Sequence, residues 1–379
     1  MTTPIINPAA IVLAGWLLAL GGSSFGQTAR PRNLNAGVDT TRKSDVMLAV
    51  VHLELPAAVR AGERLAGRFT VQNVGHAPLD GTYRARLVYE NRDTYRHQAQ
   101  DLGRLEGHQL PPGTEVERTF EVAVPAGLPS GSTKVKLMLT PEGEDRPLAL
   151  PMKYEGPPGL FPLGKVNVLG KPGRKKKRVV FFGDSVTQEA PMPDGYVSQL
   201  EALGGPVAGW ELIGAGVGGD RVTSLRDRAD ADVLIYRPQT VVVYVGVNDC
   251  GFFKWVPAVG GTEPAAYERE LTALVRKFRR HGIRVVLCTP AVIGEKRPGE
   301  NELDASLEAY VRACHAVAGR EGCPLVDLRA AFTQYLQIHN PQNQAKGILT
   351  TDGVHLTRAG NALAARELHK IFLGQDSQE

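Results

Sequence analysis

The chain has 379 residues, of which 42% are hydrophobic and 22% charged, a composition typical of a globular protein that buries a sizeable core. Because this length exceeds the usual size of one domain, we expect two domains. The net charge of +4 is too small to predict nucleic acid as a partner. A basic run at residues 174–178 (RKKKR) is interpreted as part of a solvated linker, with a nucleic-acid signal as the alternative.

The N-terminus predicts an exported protein. An apolar run, IVLAGWLLAL at residues 11–20, is followed by the small residues Ser24 and Gly26, and it is far shorter than the roughly 20 residues that a bilayer span needs. We interpret residues 1–26 as the signal peptide of a periplasmic, cell-surface or secreted protein, and we expect no stable membrane span. Since no Lys or Arg precedes the run, an uncleaved anchor is the alternative.

Three segments are expected before the second domain. Residues 27–44 lack apolar periodicity and predict a flexible lead-in. Residues 45–155 contain short alternating runs, such as RLAGRFTVQNVG and TKVKLMLTP, between Gly, Pro and Asp-Gly turns; this pattern predicts an immunoglobulin-like β-sandwich. Residues 156–177 are rich in Pro, Gly and Lys and predict a linker.

Residues 178–374 follow a different pattern, in which the apolar runs RVVFFG, WELIG, TVVVYVG, IRVVLCTP and PLVDL alternate with helical segments. Such strands, separated by helices, predict a five-stranded parallel sheet covered on both sides, hence a doubly wound α/β domain. The clearest helix begins at Pro264 and ends at Gly282. Its apolar face contains Tyr267, Leu271, Leu274, Val275 and Phe278.

The four cysteines, Cys250, Cys288, Cys314 and Cys323, all lie in this second half. An oxidising compartment allows three disulfide pairings among them. Cys314, however, shares a helical face with Leu307, Val311 and Ala318, which favours a buried thiol there.

Polar residues follow the strands of the predicted sheet, at the carboxyl ends where such sheets bind their ligands. The first strand is followed by GDSVTQ with Ser185, the second by GAGVGGDR, and the third by GVNDC with Asn248. The segment TTDGVHLTRAG supplies Asp352 and His355 just before the last helix. Because the first three loops leave one edge of the sheet, we expect these residues to converge.

The converging residues are those of a serine hydrolase. A serine hydroxyl becomes an effective nucleophile when an imidazole takes its proton and a carboxylate holds that imidazole. Ser185, His355 and Asp352 can fill these roles, with a turn-capping role as the alternative for Asp352. The N–H of Ser185, an N–H of the glycine loop and the Asn248 amide can donate to an oxyanion. The remaining charged residues are interpreted as loop supports (Asp184, Asp220 and Asp249) or as candidate substrate contacts (Glu295 and Arg221).

Four blocks carry a resemblance to a known family. GDSVT, a glycine loop ending in GGD, GVND and DGVH occur in that order, and through them residues 177–373 resemble the SGNH hydrolases, also called GDSL esterases and lipases. The resemblance implies a nucleophile and first oxyanion donor at Ser185, second and third donors at Gly219 and Asn248, and a triad completed by Asp352 and His355.

The resemblance also has one departure and one implication for substrate. The glycine block of this family usually opens with Asn, whereas this chain has Gly214, which puts the rigidity of the loop in question. The later blocks look most like the short-chain and acetyl esterase branches. This implies a short acyl ester as substrate, with acylated carbohydrates as candidates.

Two alternatives to an exported serine esterase follow from the same residues. One is a non-catalytic surface protein that binds polysaccharide and carries a degenerate hydrolase domain. The other is a nucleotide-dependent oxidoreductase, since GAGVGG matches G-x-G-x-x-G; that function requires an acid about 20 residues after the loop, whereas Asp249 lies 30 residues beyond Gly219. No cofactor and no metal are expected, because the serine mechanism needs neither and no metal-binding spacing occurs.

Overall fold

The computed structural model describes residues 27–29, 48–73, 75–90, 97–128, 130–144, 160–170, 177–251 and 260–373. The chain divides into two units, Met1–Lys171 and Pro172–Glu379. The predicted signal peptide lies outside the described residues, and export stays a prediction. Within the described ranges, no helix has both the length and the apolar character needed to cross a membrane.

The N-terminal unit is built of two β-sheets. Its described strands are β1 (Gln27–Ala29), β2 (Leu48–Leu55), β3 (Ala58–Arg60), β4 (Arg64–Asn73), β5 (Leu79–Glu90), β6 (His97–Leu110), β7 (Glu115–Ala123), β8 (Gly131–Pro141) and β9 (Leu160–Leu169). One sheet has the order β1-β2-β4-β7 and the other β3-β9-β8-β5-β6. Most neighbours pair antiparallel, while β3 and β9 pair in parallel.

Alternating sequence builds the core of this unit. In β8, Val135, Leu137 and Leu139 are buried and the residues between them are partly exposed, as expected when successive side chains point to opposite faces. They share one hydrophobic cluster with Phe69 and Phe120 of the other sheet, whose ring centroids lie 6.1 Å apart. Both sheets therefore bury a face in a common core, and the finer immunoglobulin-like assignment stays a prediction.

The predicted flexible lead-in and the predicted linker each contain a strand in the structure. Gln27–Ala29 lies in the predicted flexible lead-in but pairs with β2, while residues 30–44 lie outside the described part. Strand β9 lies in the predicted linker but pairs with β3 and β8, because Val166 and Val168 alternate with polar residues and are buried. The surrounding Pro, Gly and Lys residues masked this alternation in the sequence.

The C-terminal unit is the predicted α/β domain. Its strands are β10 (Lys177–Gly183), β11 (Trp210–Gly216), β12 (Thr240–Tyr244), β13 (Arg284–Cys288) and β14 (Leu325–Val326). Its α-helices are α1 (Ser185–Glu189), α2 (Tyr196–Leu203), α3 (Val222–Asp232), α4 (Pro264–Arg280), α5 (Asp304–Glu321), α6 (Leu328–His339) and α7 (Arg358–Leu373).

The sheet has the order β11-β10-β12-β13-β14 and every described pair is parallel, which confirms the predicted five-stranded parallel sheet. Parallel crossovers are right-handed, so the reversal of strand order at β10 sends the connecting helices to opposite faces. Accordingly, the helices form two groups: α4 contacts both α3 and α5, and α7 contacts both α2 and α6. The reversal between β10 and β12 is the point where such sheets bind ligands.

The predicted helix and buried thiol are both confirmed. Helix α4 starts at Pro264, its five predicted apolar residues are buried, and Gly282 follows its end with a φ of +71°, a value that glycine adopts without strain. Cys314 is buried on α5 with the three neighbours predicted for its face. No disulfide joins any two of the four cysteines in the structure.

Candidate active site

Ser185 lies at the carboxyl end of β10, where the strand passes directly into α1. The Asp184 carboxylate caps this helix by accepting the Val186 N–H at 3.0 Å. As the first residue of the helix, Ser185 has a backbone N–H with no partner inside the helix. Gly183 permits the sharp passage, because a Cβ there would lie 2.1 Å from the Tyr244 carbonyl oxygen.

The structure brings Ser185, His355 and Asp352 into one hydrogen-bonded chain. The Nε2 atom of His355 lies 2.9 Å from the Oγ of Ser185, and its Nδ1 lies 2.6 Å from an Asp352 carboxylate oxygen. Burial alone would raise the pKa of Asp352, but hydrogen bonds from His355 and two backbone amides lower it below its ordinary value. The carboxylate is therefore ionised at neutral pH and faces the imidazole, and its second oxygen also caps its own turn through the N–H groups of Val354 and His355.

A buried carboxylate holds the segment that carries Asp352 and His355. Glu295 is 1% exposed. One of its oxygens accepts the Ile348 N–H at 2.9 Å, and the other accepts the N–H of Leu349 at 2.7 Å and the amide and hydroxyl of Thr350. Glu295 was a candidate substrate contact, and the structure shows that this expectation was wrong, because its carboxylate is fully enclosed by these donors.

The glycine loop passes directly over Ser185. A Cβ on Gly216 would lie 2.0 Å from the Gln188 nitrogen, and one on Gly218 would lie 3.8 Å from the Ser185 Cβ. The Gly218 N–H donates to the Gln188 side-chain oxygen at 2.8 Å. Gly219 has a φ of +80°, in the left-handed region where other residues are strained. Gly216 is therefore required by the closeness of α1, and Gly219 by its backbone conformation.

Asn248 connects the third loop to the glycine loop. It is buried, and its side-chain amide donates to the Asp220 carbonyl at 2.9 Å. The neighbouring Asp249 accepts the Val222 N–H at the start of α3, which agrees with its predicted supporting role. Burial raises the pKa of Asp249 to about 6 and that of Asp184 to about 7.

Three side chains that hold these loops were not identified from the sequence as supports. They are Gln188, which binds the glycine loop, Arg228, which binds Gly183, Ala215 and Asp220, and Glu295. Asp220 precedes α3, so its spacing from Arg228 gave no helical signal of their contact. Arg221, the other candidate substrate contact, donates to the Gly260 carbonyl at 2.5 Å. At Gly214, where the family usually has Asn, a Cβ would lie 2.9 Å from Pro191, so a proline ring takes up the space beside this position.

No site for an ion is evident at these loops: within the described residues, no group of three His, Cys, Asp or Glu side chains is arranged to hold a metal. A cavity of about 240 Å³ is lined by Glu295, Lys296, Arg329 and Asn340 among others. Ser185, His355 and Gly219 do not line it.

Comparison with known proteins gives a consistent result for this unit. Residues 181–363 match the model of the GDSL-like Lipase/Acylhydrolase family. An acetylxylan esterase of Geobacillus stearothermophilus is 25% identical over 206 residues, 50% of this chain and 91% of that protein. A GDSL esterase/lipase of Arabidopsis thaliana is 26% identical over 226 residues, 52% of this chain and 85% of the plant protein. A crystal structure of an acetyl xylan esterase is 37% identical, with a TM-score of 0.48 over 51% of this chain and 98% of the other.

Proposed function

Because residues 181–363 form a GDSL-like lipase/acylhydrolase domain and the chain is an ester hydrolase, we propose that it removes short acyl groups, acetyl above all, by a Ser185-His355-Asp352 triad. The observation that carries this proposal is the continuous contact from the Ser185 hydroxyl through both nitrogens of His355 to Asp352. We further propose acylated carbohydrate as the substrate class, since one similar protein is an acetylxylan esterase.

The geometry supports the following first half of the reaction. The Ser185 Oγ attacks the ester carbonyl carbon while its proton passes to His355 Nε2, and Asp352 stabilises the resulting imidazolium through Nδ1–H. The imidazolium then gives the proton to the leaving alkoxide, so that the alcohol departs and an acyl group remains on Ser185. In the second half, His355 takes a proton from water as its oxygen attacks the acyl carbon. The bond from that carbon to the Ser185 Oγ then breaks, the imidazolium returns the proton to Oγ, and the acid is released.

Three donors stabilise the negative oxygen of each tetrahedral intermediate in this proposal. They are the backbone N–H groups of Ser185 and Gly219 and the side-chain amide of Asn248. An amide nitrogen carries two hydrogens; Asp220 takes one from Asn248, and we assign the second to the oxyanion. One donor of this kind lowers the activation free energy by about 3 kcal/mol.

The proposal is tested by hydrolysis of p-nitrophenyl acetate. Replacing Ser185 with alanine is expected to lower kcat by roughly 10⁶-fold, because the nucleophile is lost. Ser198→Ala, on helix α2, is the matched control and should retain wild-type rates. Equal rates from wild type and Ser185→Ala would overturn the triad and favour a non-catalytic binding protein. Acetate release from acetylated xylan, beside a chain-length series of simple esters, then tests the substrate class.

A further inference from the structure

We propose that Arg228 is the positioning residue of the oxyanion hole: its guanidinium fixes the ends of β10 and β11 and the glycine loop, which carry two of the three donors and hold the third. Arg228 lies in the middle of α3 and its side chain is 16% exposed. The inference rests on the proposed esterase function and deepens it, since Arg228 acts on the donors and not on the substrate.

The guanidinium reaches three separate parts of the backbone around the site. Its Nη2 donates to the Gly183 carbonyl at 2.8 Å, at the end of β10. Its Nη1 donates to the Ala215 carbonyl at 2.8 Å, near the end of β11. Its Nε donates to an Asp220 carboxylate oxygen at 2.5 Å, at the end of the glycine loop. The guanidinium carbon also lies 4.4 Å from the centroid of the Phe182 ring.

Two of these bonds lead to the three donors, and the bond to Ala215 holds the strand end from which the glycine loop leaves. Gly183 is two residues before Ser185, whose N–H is the first donor. Asp220 follows Gly219, whose N–H is the second donor. The Asp220 carbonyl accepts the amide of Asn248 at 2.9 Å, so the third donor depends on the same residue. One side chain therefore sets the relative positions of all three donors.

The glycine loop needs such a support because three of the four residues before Asp220 are glycines. Gly216 allows close approach to α1, but glycines bring no side chains to pack and give the backbone high conformational freedom. A preorganised set of donors must hold its geometry within a fraction of an ångström. Arginine suits this role, because its rigid planar fork carries five donors in fixed directions, whereas lysine is a flexible point charge.

A fourth bond of the same guanidinium supplies an internal control. The Nη1 atom also donates to Asp232 at 2.8 Å, one turn further along α3. Asp232 is the last residue of that helix. Loss of this bond should change the stability of the α3 segment without moving the donors.

The test compares kcat and KM for p-nitrophenyl acetate in wild type, Arg228→Lys and Asp232→Asn. Because displacement of reacting groups by about 1 Å costs roughly 100-fold, we expect kcat of Arg228→Lys to fall by about that factor with KM within about twofold. Asp232→Asn and Arg226→Lys, an exposed arginine on the same helix that pairs with Glu270, should keep wild-type kcat. Asp220→Asn weakens only the arm to the glycine loop and should give an intermediate loss; it is the second variant if Arg228→Lys does not fold.

A boronic acid that forms a negatively charged tetrahedral adduct on Ser185 provides a second readout. Its inhibition constant should rise in Arg228→Lys in parallel with the loss of kcat, which a purely structural role would not produce. Wild-type kcat and wild-type boronate affinity in folded Arg228→Lys would overturn the inference alone. An inactive wild type, or an active Ser185→Ala, would instead overturn the proposed function.

Discussion

The two sides of the candidate site are held by charges of opposite sign, a partly buried guanidinium and a buried carboxylate. On the nucleophile side, the Arg228 guanidinium gathers carbonyl oxygens of Gly183 and Ala215. On the base side, the Glu295 carboxylate gathers the amide groups of residues 348–350. The difference follows from the backbone: carbonyl groups project beyond the carboxyl ends of parallel strands, whereas the turn before Asp352 presents N–H groups. The carbonyl groups are satisfied by the N–H donors of a cation, and the N–H groups by the oxygen acceptors of an anion.

The comparison also separates what each side contributes. In the proposed mechanism, the base side delivers a proton acceptor through one contact, His355 to Ser185. Its segment is closed by a bridge between Thr350 and Leu356. The nucleophile side, in the same mechanism, must align several donors that come from three different loops. We therefore expect substitutions on the base side to lower either kcat (Asp352) or the free energy of unfolding (Glu295). Substitution of Arg228, on the nucleophile side, should lower kcat more than stability.

The largest effect is expected for Asp352→Asn, which breaks the base side at its chemical group. An asparagine amide facing Nδ1 favours the wrong imidazole tautomer and cannot stabilise the imidazolium, so kcat should fall by about 10⁴-fold. The melting temperature should change little, because Glu295 still holds the segment. Asp230→Asn, an exposed carboxylate paired with Lys277, is the control. A kcat of Asp352→Asn within tenfold of wild type would contradict the assignment of Asp352.

A smaller effect is expected for Glu295→Gln, which breaks the support of the base side. Glutamine has one acceptor oxygen, so its amide nitrogen must face at least one N–H donor of residues 348–350. An unsatisfied buried donor of this kind costs roughly 2 to 3 kcal/mol, and the free energy of unfolding in urea should fall by about that amount. Glu268→Gln, a surface carboxylate paired with Arg320, should change it by less than about 0.5 kcal/mol. Equal stability of Glu295→Gln and wild type would show that this carboxylate does not hold the segment.

The smallest effect concerns pH and Asp184, on the nucleophile side. Its pKa is raised from 3.8 to about 7 by burial, with Asp249 and Asp220 adding to the shift and His355 opposing it. The native state therefore keeps this proton between about pH 4 and 7, and the stability that this brings is lost as the pH rises through 7. Asparagine stays neutral and can still cap α1 through the Val186 N–H.

We therefore expect Asp184→Asn to gain stability relative to wild type on going from pH 5 to pH 8. The expected difference is about 1 kcal/mol, less than 1.36 kcal/mol per pKa unit, because the neighbouring carboxyl groups titrate together. Urea unfolding of both proteins at the two pH values measures it. A relative gain for wild type at pH 8 would mean that the Asp184 carboxyl is not destabilised by burial.

Much of the C-terminal fold was predictable from local pattern. Unbroken apolar runs separated by helices gave the parallel sheet, and the spacing from Tyr267 to Phe278 gave the buried face of α4. The linker prediction failed at β9 because Pro, Gly and Lys at its flanks outweighed the alternation of Val166 and Val168. Composition averages over a stretch of residues, whereas a strand forms where alternate side chains can be buried in a core.

The sequence by itself determined which chemical groups follow strands β10 and β12 and precede helix α7, since Ser185, Asn248, Asp352 and His355 occur in blocks whose spacing is local. Only the tertiary structure decided which charges hold them. Arg228 and Glu295 lie 13 and 53 residues from their backbone partners Ala215 and Ile348, and hydrogen bonds between such distant residues leave no periodic mark in the sequence. For the same reason Glu295 was mistaken for a substrate contact: a carboxylate in a loop reads as exposed until the fold encloses it with amide donors.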